Sequence, residues 1–503
     1  MALGRAAAVS RSVGRSCRGA ASEASLANCG ASLEGVIDVC IVGAGASGLA
    51  CAVQCARSLR QAGSNVRVVV LDAAAKLGRS ILASGNGRCN FSNQALTNPA
   101  NRSMYRNAEF VSSAAKALAA SSEVGVLPWF RELGLVWRSD DAGLGMLYPY
   151  SSKASTVLSV LLRACERWGV ELVPEVRVDE VLLSGQRDSV PTCSTSVRMD
   201  ESSIPADKES SCPGWGRLSS IEQKANFRLI GEWGVERSRT KTAKGRIKRE
   251  VEWVPFEAEA RCVVVATGGS LVSSQVPGHS PIAFEPVLAP LEVAGPDFVE
   301  LDGVRAKVGV TVDGSSYREE GELLFRDYGI SGIVSFNLSR ELAHGGTAFI
   351  DFAPDHDMRE LVGLLAFVSR QLGGAATRAV ESLLEGMFVP ELARCLVRKA
   401  KLVGQPATEQ NIAKLSAVIK RFEIQVTGVS SANAPQVRRG GCRVGEFDPT
   451  TLASRKTPGL YVLGEALDVD APCGGYNLDW AWTCGILAGQ DIAITQFKYE
   501  VHQ

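Results

Sequence analysis

The stretch that decides the fold is Ile37-Asp38-Val39-Cys40-Ile41-Val42-Gly43-Ala44-Gly45-Ala46-Ser47-Gly48. Its first six residues form a short apolar run, the look of a buried parallel strand. The run leads directly into G-x-G-x-x-G. Beyond it, Leu49, Val53, Ala56 and Leu59 recur at helical spacing, Gly63-Ser64-Asn65 makes a turn, and residues 66–71 form a second strand ending at Asp72. Each part has a task in binding a dinucleotide. Gly43 permits the tight turn, Gly45 lets backbone approach a pyrophosphate, and Gly48 lets helix and strand lie close. The helix N-terminus offers unpaired N–H groups and a positive dipole end to the diphosphate. Asp72 follows Gly48 by 24 residues and is placed to accept ribose hydroxyls. An acid there disfavours a 2′-phosphate, so FAD or NAD fits better than NADP.

Lys76-Leu77-Gly78-Arg79 follows, and then Gly85-Asn86-Gly87-Arg88-Cys89-Asn90-Phe91-Ser92-Asn93. Two glycines around an asparagine let the loop curl its N–H groups inward as an anion-binding nest. Arg88 adds charge toward a phosphate or an anionic flavin. Cys89 reads either as a redox thiol or as a packing residue, and packing is favoured because no partner cysteine lies nearby in sequence. Residues 109–137 have interrupted helical periodicity with Trp129 and Phe130 as core, and a helix spans Ala154 to Trp168. Residues 169–178 have strand character. Residues 185–226, rich in Ser, Asp, Glu and Pro, read as a solvated and partly disordered insertion. Residues 227–259 suggest an antiparallel meander around a basic turn at 237–249, and a solvated hairpin tip is favoured over a contact with an acidic partner.

Residues 261–266 form another apolar strand, ending in Thr267-Gly268-Gly269, a second place where backbone must approach a cofactor closely. Residues 284–352 alternate apolar and polar positions as in a small β domain, and residues 357–424 are helical in period. Pro458-Gly459-Leu460-Tyr461-Val462-Leu463 is a strand that meets Gly464-Glu465, a carboxylate placed for the ribityl hydroxyls of a flavin. After Cys473-Gly474-Gly475-Tyr476-Asn477, residues 478–494 have helix character, with Ala481, Gly485, Ala488 and Gly489 allowing close approach. A helix starting beside Gly475 aims its N-terminus at the pyrimidine edge of an isoalloxazine, where it stabilises the negative charge of the reduced ring.

The chain carries 54 Lys and Arg against 54 Asp and Glu, so its balance gives no electrostatic reason to expect nucleic acid as the main partner. No apolar run approaches the roughly 20 residues needed to span a bilayer. The 14 cysteines are scattered without a C-x-x-C pair, and His279, His344, His356 and His502 lack ligand spacing, so no metal site is expected. Residues 1–35 carry Arg5, Arg11, Arg15 and Arg18 with no acid before Glu23 and no long apolar core. That composition favours a mitochondrial targeting peptide over a secretory signal, with a flexible cytoplasmic tail as the alternative.

Taken in order, DVCIVGAGASGLA (38–50), GNGRCNFSN (85–93), YPYSSKAS (148–155), ATGGS (266–270), GELLFRDYGISG (321–332) and PGLYVLGEALDVDAPCGGYNLDWAWTCGILAG (458–489) resemble the YhiN/BaiN-like family of FAD-dependent oxidoreductases. These are distant relatives of glutathione-reductase-type flavoproteins. The resemblance implies an α/β fold: a Rossmann-type FAD-binding domain, of parallel sheet plus β-meander, split by an inserted β subdomain and a helical subdomain. The chain then divides into a tail (1–35), a first FAD-binding part (36–275, with a variable insertion and meander at 185–256), the β subdomain (276–356), the helical subdomain (357–424) and the C-terminal FAD-binding part (425–503). Cofactor contacts are implied at Gly43, Gly45, Ala46, Gly48, Asp72, Arg88, Asn90, the backbone of Val178, Ala266, Thr267, Gly268, Glu465, Asn477 and Leu478. Ser47, Arg79, Gly87, Gly464 and Gly475 complete the candidate set. Two departures stand out: residues 270–280 are shorter than in the family, and the insertion at 185–256 is longer.

The expected function is hydride transfer between FAD and a small organic substrate. NAD(P)H is the expected transient donor, bound in the substrate cleft, since no second G-x-G-x-x-G with flanking strands is present. Tyr328 and Tyr476 are candidate donors on the substrate side, and no residue is assigned as catalytic. The alternatives are an FAD-dependent oxidase of small amines using O2, and a flavin-binding scaffold or RNA-modification accessory supported only by the basic turn. A monomer or homodimer with no nucleic-acid or membrane partner is expected.

Overall fold

The computed structural model describes residues 31–121, 125–139, 144–184, 226–241, 247–373, 379–431 and 435–497. The readings of residues 1–35 as a targeting segment and of 185–226 as a solvated insertion fall almost wholly outside them. The apolar run Ile37–Val42 sits where its composition sends it, in the interior of an eight-stranded mixed sheet. Its parallel neighbours are Val68–Asp72 and the end of Ile247–Val265, with Ile41 opposite both Val70 and Val264. Glu171–Pro174 extends the parallel part beyond Val68–Asp72. Leu460–Val462, from the far end of the chain, pairs with residues 263–265.

The strand Ile247–Val265 changes role along its length. Phe256, Ala258 and Ala260 are buried while Glu257 and Glu259 are exposed, a period of two that leaves one face to solvent. In that half it pairs antiparallel with Phe227–Lys241, which pairs in turn with Val176–Leu183 to complete the meander. From Cys262 onward the run is continuously apolar and buried, as a strand covered on both faces must be. One strand thus fuses meander and Rossmann sheet. Among the described side chains of the basic turn, Arg237 pairs with Glu252, Arg239 with Glu236, and Arg249 with Glu175 and Glu236.

Helix Ala46–Gln61 covers the sheet and lies against Tyr476–Asp491. Small residues make their approach close: a methyl on Gly485 would lie 2.5 Å from the Ser47 carbonyl oxygen, and one on Gly489 2.8 Å from that of Cys51. A second, separate core fills a closed six-stranded barrel. Its strands run Leu291–Val293, Gly329–Ser331, Arg318–Arg326, Arg305–Val312, Gly346–Asp351 and Phe422–Val429 around the wall. Helices Met358–Gln371, Pro390–Lys399 and Glu409–Lys420 are inserted before the last strand. The helical period stops short of residue 424, because Phe422, Ile424 and Val426 are buried between exposed Glu423, Gln425 and Thr427, which is strand alternation.

Candidate functional site

Two glycines of the first loop are demanded by the protein itself. Gly43 has φ 108°, and a methyl there would lie 2.5 Å from the Ala266 carbonyl oxygen. A methyl on Gly48 would lie 1.9 Å from the Gly43 carbonyl oxygen. Gly45 differs: at φ −79° its backbone suits any residue, and a methyl would meet only Ser80 Oγ, at 3.3 Å. It adjoins Ala46 and Ser47, the start of a 16-residue helix with no side-chain cap, the kind of backbone end that suits a diphosphate. Asp72 braces this turn, Oδ2 accepting from the Ala44 N–H and Oδ1 from the Ala74 N–H, both at 2.7 Å. Each oxygen keeps a lone pair for a ribose hydroxyl.

A second helix start faces the loop 85–93. Gly475, at φ 94°, begins Tyr476–Asp491, and a methyl on it would lie 2.4 Å from the Ser92 carbonyl oxygen and 2.6 Å from Asn90 Oδ1. Asn93 Nδ2 donates to the Gly474 carbonyl at 2.8 Å, and Ser92 Oγ donates to Asp479 Oδ2 at 2.6 Å. The Asn477 side chain is committed to its own turn, donating to the Ala471 carbonyl at 2.8 Å and accepting from the Ala471 N–H at 2.9 Å. What Asn477 and Leu478 have to offer is therefore the unpaired backbone N–H of a helical first turn. Asn90 Oδ1 is buried without a hydrogen-bond partner, a costly state that marks a missing donor. A lone acceptor beside free helix donors complements the pyrimidine edge of a flavin, which carries an N–H between two carbonyls. On that observation the residues fit FAD.

The other loops join these two. The Ala266 N–H donates to the Val42 carbonyl at 2.8 Å, and the turn through Thr267 and Gly268 (φ 58°) lies against Glu465. Glu465 Oε1 accepts from the Arg438 N–H at 2.7 Å, and burial pushes its carboxyl up to about 7. Gly464, at φ 63°, backs onto Ser47, whose Oγ would lie 3.0 Å from a methyl there. Residues as far apart in sequence as Ser92 and Asp479, 387 positions, thus meet at one place.

Over residues 37–491 the chain matches the family described as the HI0933-like protein Rossmann domain. The chain belongs to that family. It is 30% identical over 468 residues to the 3-dehydro-bile acid delta(4,6)-reductase of Clostridium scindens, covering 90% of this chain and 98% of that protein. It is 26% identical over 462 residues to the ribosomal RNA dihydrouridine synthase of Escherichia coli, with 90% and 98% covered. The match to a solved 3-ketosteroid-delta4-(5alpha)-dehydrogenase from Rhodococcus jostii covers 94% of this chain and 99% of that one, at 14% identity and a TM-score of 0.38. The protein is an FAD-dependent oxidoreductase.

Several expected residues of this flavoenzyme lie differently. Gly85, Asn86 and Gly87 are all left-handed, with φ 54°, 54° and 80°. That curls the loop so far that the Arg88 and Cys89 N–H groups donate back to the Gly85 and Ser84 carbonyls, at 3.1 and 3.0 Å, instead of forming an open nest. Arg79 and Arg88 are exposed, and the Arg88 guanidinium lies 4.9 Å over the Tyr148 ring. Val178 adjoins a bulge in the meander, and its carbonyl accepts from Gln275 Nε2 at 2.7 Å, which also tethers the short segment 270–280. Burial pushes the Cys89 thiol up to about 11, so it packs and does not present a thiolate. Tyr476 is buried, its carbonyl accepting from the Tyr105 hydroxyl at 2.8 Å. Tyr328 occupies the barrel hairpin between Arg326 and Gly329. Sequence reasoning passed over Ser92, Asn93 and Asp479, whose carboxyl burial pushes up to about 6. An acid in the first turn of an otherwise apolar helix was the available signal.

Proposed function

We propose that this flavoenzyme reduces a carbon–carbon double bond conjugated to a carbonyl group, with NAD(P)H as the source of hydride. The observation that carries the reading is the unpartnered Asn90 Oδ1 beside the start of Tyr476–Asp491, which suits a flavin ring in use as a redox centre. The reaction class draws on the relatives. One is named for reducing a dehydro-bile acid and the other for making dihydrouridine. Both names describe adding two hydrogens across a double bond held in conjugation with a carbonyl.

FAD, when bound, supplies the two-electron chemistry. The protein's own residues supply position and charge. The loop at Gly45 and the helix behind it hold the diphosphate, Asp72 and Glu465 accept sugar and ribityl hydroxyls, and Asn90 accepts a ring N–H. The helix N-terminus at Gly475 favours negative charge beside it. Among the described residues only one sheet has the parallel Rossmann order, so the nicotinamide is a transient visitor to the substrate cleft.

Anaerobic mixing of the holoenzyme with NADH and then NADPH tests this. The expected result is rapid bleaching of the visible flavin band, then reoxidation by an α,β-unsaturated ketone or by a uridine-containing RNA. Flavin that neither nicotinamide reduces would overturn it, and O2 consumption with a small amine would then identify an oxidase.

A further inference from the structure

We propose that Asn337, on the barrel helix Ile333–Leu342, is a positioning residue for the cofactor, holding residues 470–475 so that the helix start at Gly475 meets the flavin. The proposal rests on the site reading above. Asn337 is buried, its Oδ1 accepts from the Cys473 N–H at 2.7 Å, and its Nδ2 donates to Glu319 Oε1 at 2.6 Å. Glu319 also accepts the Tyr317 hydroxyl. The carboxylate therefore claims the N–H end of the amide and turns its carbonyl toward the loop.

The same helix grips the loop at two further points. Arg340 Nε donates to Asp470 Oδ1 at 2.8 Å, and Arg439 holds the same fully buried carboxylate with two contacts of 3.0 Å. Phe336 packs with Cys473 against Val287, Leu288 and Val437. Val334, Leu338 and Leu342 face the barrel core, whereas Phe336, Asn337 and Arg340 share another face. That face serves the loop. Between the fixed Cys473 N–H and the helix lie Gly474 (φ 138°) and Gly475 (φ 94°), a backbone that would swing without an anchor. On the other side Asn93 holds the Gly474 carbonyl, so Asn337 completes a two-sided grip.

The test is Asn337→Ala in the full chain, read by FAD titration of flavin-free protein and by the flavin midpoint potential. FAD affinity is expected to fall about tenfold, the scale of one lost hydrogen bond with its partner left unpaired, and the potential to become more negative. Ser339→Ala is the control on the same helix: Ser339 Oγ accepts from the Ala289 N–H at 3.2 Å and donates to the Phe336 carbonyl at 2.7 Å, and neither bond reaches residues 470–475, so it should lower the melting temperature and leave affinity and potential alone. Should Asn337→Ala fail to fold, Asn337→Ser removes the carbonyl that receives Cys473 while keeping a small polar group beside Glu319. Wild-type affinity and potential in the folded variant would overturn the proposal. If Gly45→Val loses FAD while the Asn337 variant keeps it, only this inference fails; a wild-type chain that binds no FAD would end the site reading itself.

Discussion

Two helices of equal length, Ala46–Gln61 and Tyr476–Asp491, begin at the candidate cofactor site, each at a glycine without a side-chain cap. They are built by opposite means. Gly45 meets no backbone and only the Ser80 hydroxyl, at 3.3 Å from a methyl, whereas Gly475 is walled in by the Ser92 carbonyl and Asn90 Oδ1 and needs its positive φ. The first start is shaped by its own turn and by Asp72. The second is set by side chains from residues 90–93, from Asn477 and from Asn337 in another core. A helix end made locally can be kept for a ligand alone; one made by tertiary contacts couples the ligand to the fold.

That contrast can be broken most sharply at Gly45. Gly45→Val should leave the purified chain without FAD while the melting temperature of flavin-free protein stays near wild type; retained flavin would refute the diphosphate placement. Asp470→Asn attacks the second start from the barrel side. It leaves Arg340 and Arg439 against a neutral amide, and chemical denaturation should show a loss of about 3 kcal/mol. Gly475→Ala should cost about 2 kcal/mol and weaken FAD binding as well, so fold and cofactor fall together here but separately at Gly45.

The last expected effect is a pH dependence at Glu465. Burial raises its carboxyl from 4.5 to about 7, so the folded chain holds the proton more tightly than the unfolded one. Stability is therefore lost as pH rises through that window. Flavin-free Glu465→Gln should match wild type well below the window and be the more stable of the two above it. Thermal melts at two pH values check the sign.

The same contrast explains what was legible in the sequence. The strand Ile37–Val42, the glycine turn, the helix stripe and Asp72 lie within one short segment, and spacing alone reveals them. Ala154–Trp168 was equally plain, because Val157, Leu161 and Ala164 keep one face apolar. The resemblance supplied Asn90 and Asn477, but not that Asn477 spends its side chain on Ala471 while Asn90 is left unpaired. Asn337 was invisible, since it reaches the loop through a partner more than a hundred positions away, and Asp479 showed only as an acid in a helical first turn, with nothing nearby to name Ser92 as its partner. Phe422–Val429 closes the barrel after a helical insert, a pairing that no local period announces.

Convergence of these loops on one cofactor is tested most directly by titrating FAD into the flavin-free, folded, full-length chain. One FAD bound per chain, with a higher melting temperature on binding, is the expected result. A folded chain that takes up no flavin would contradict it.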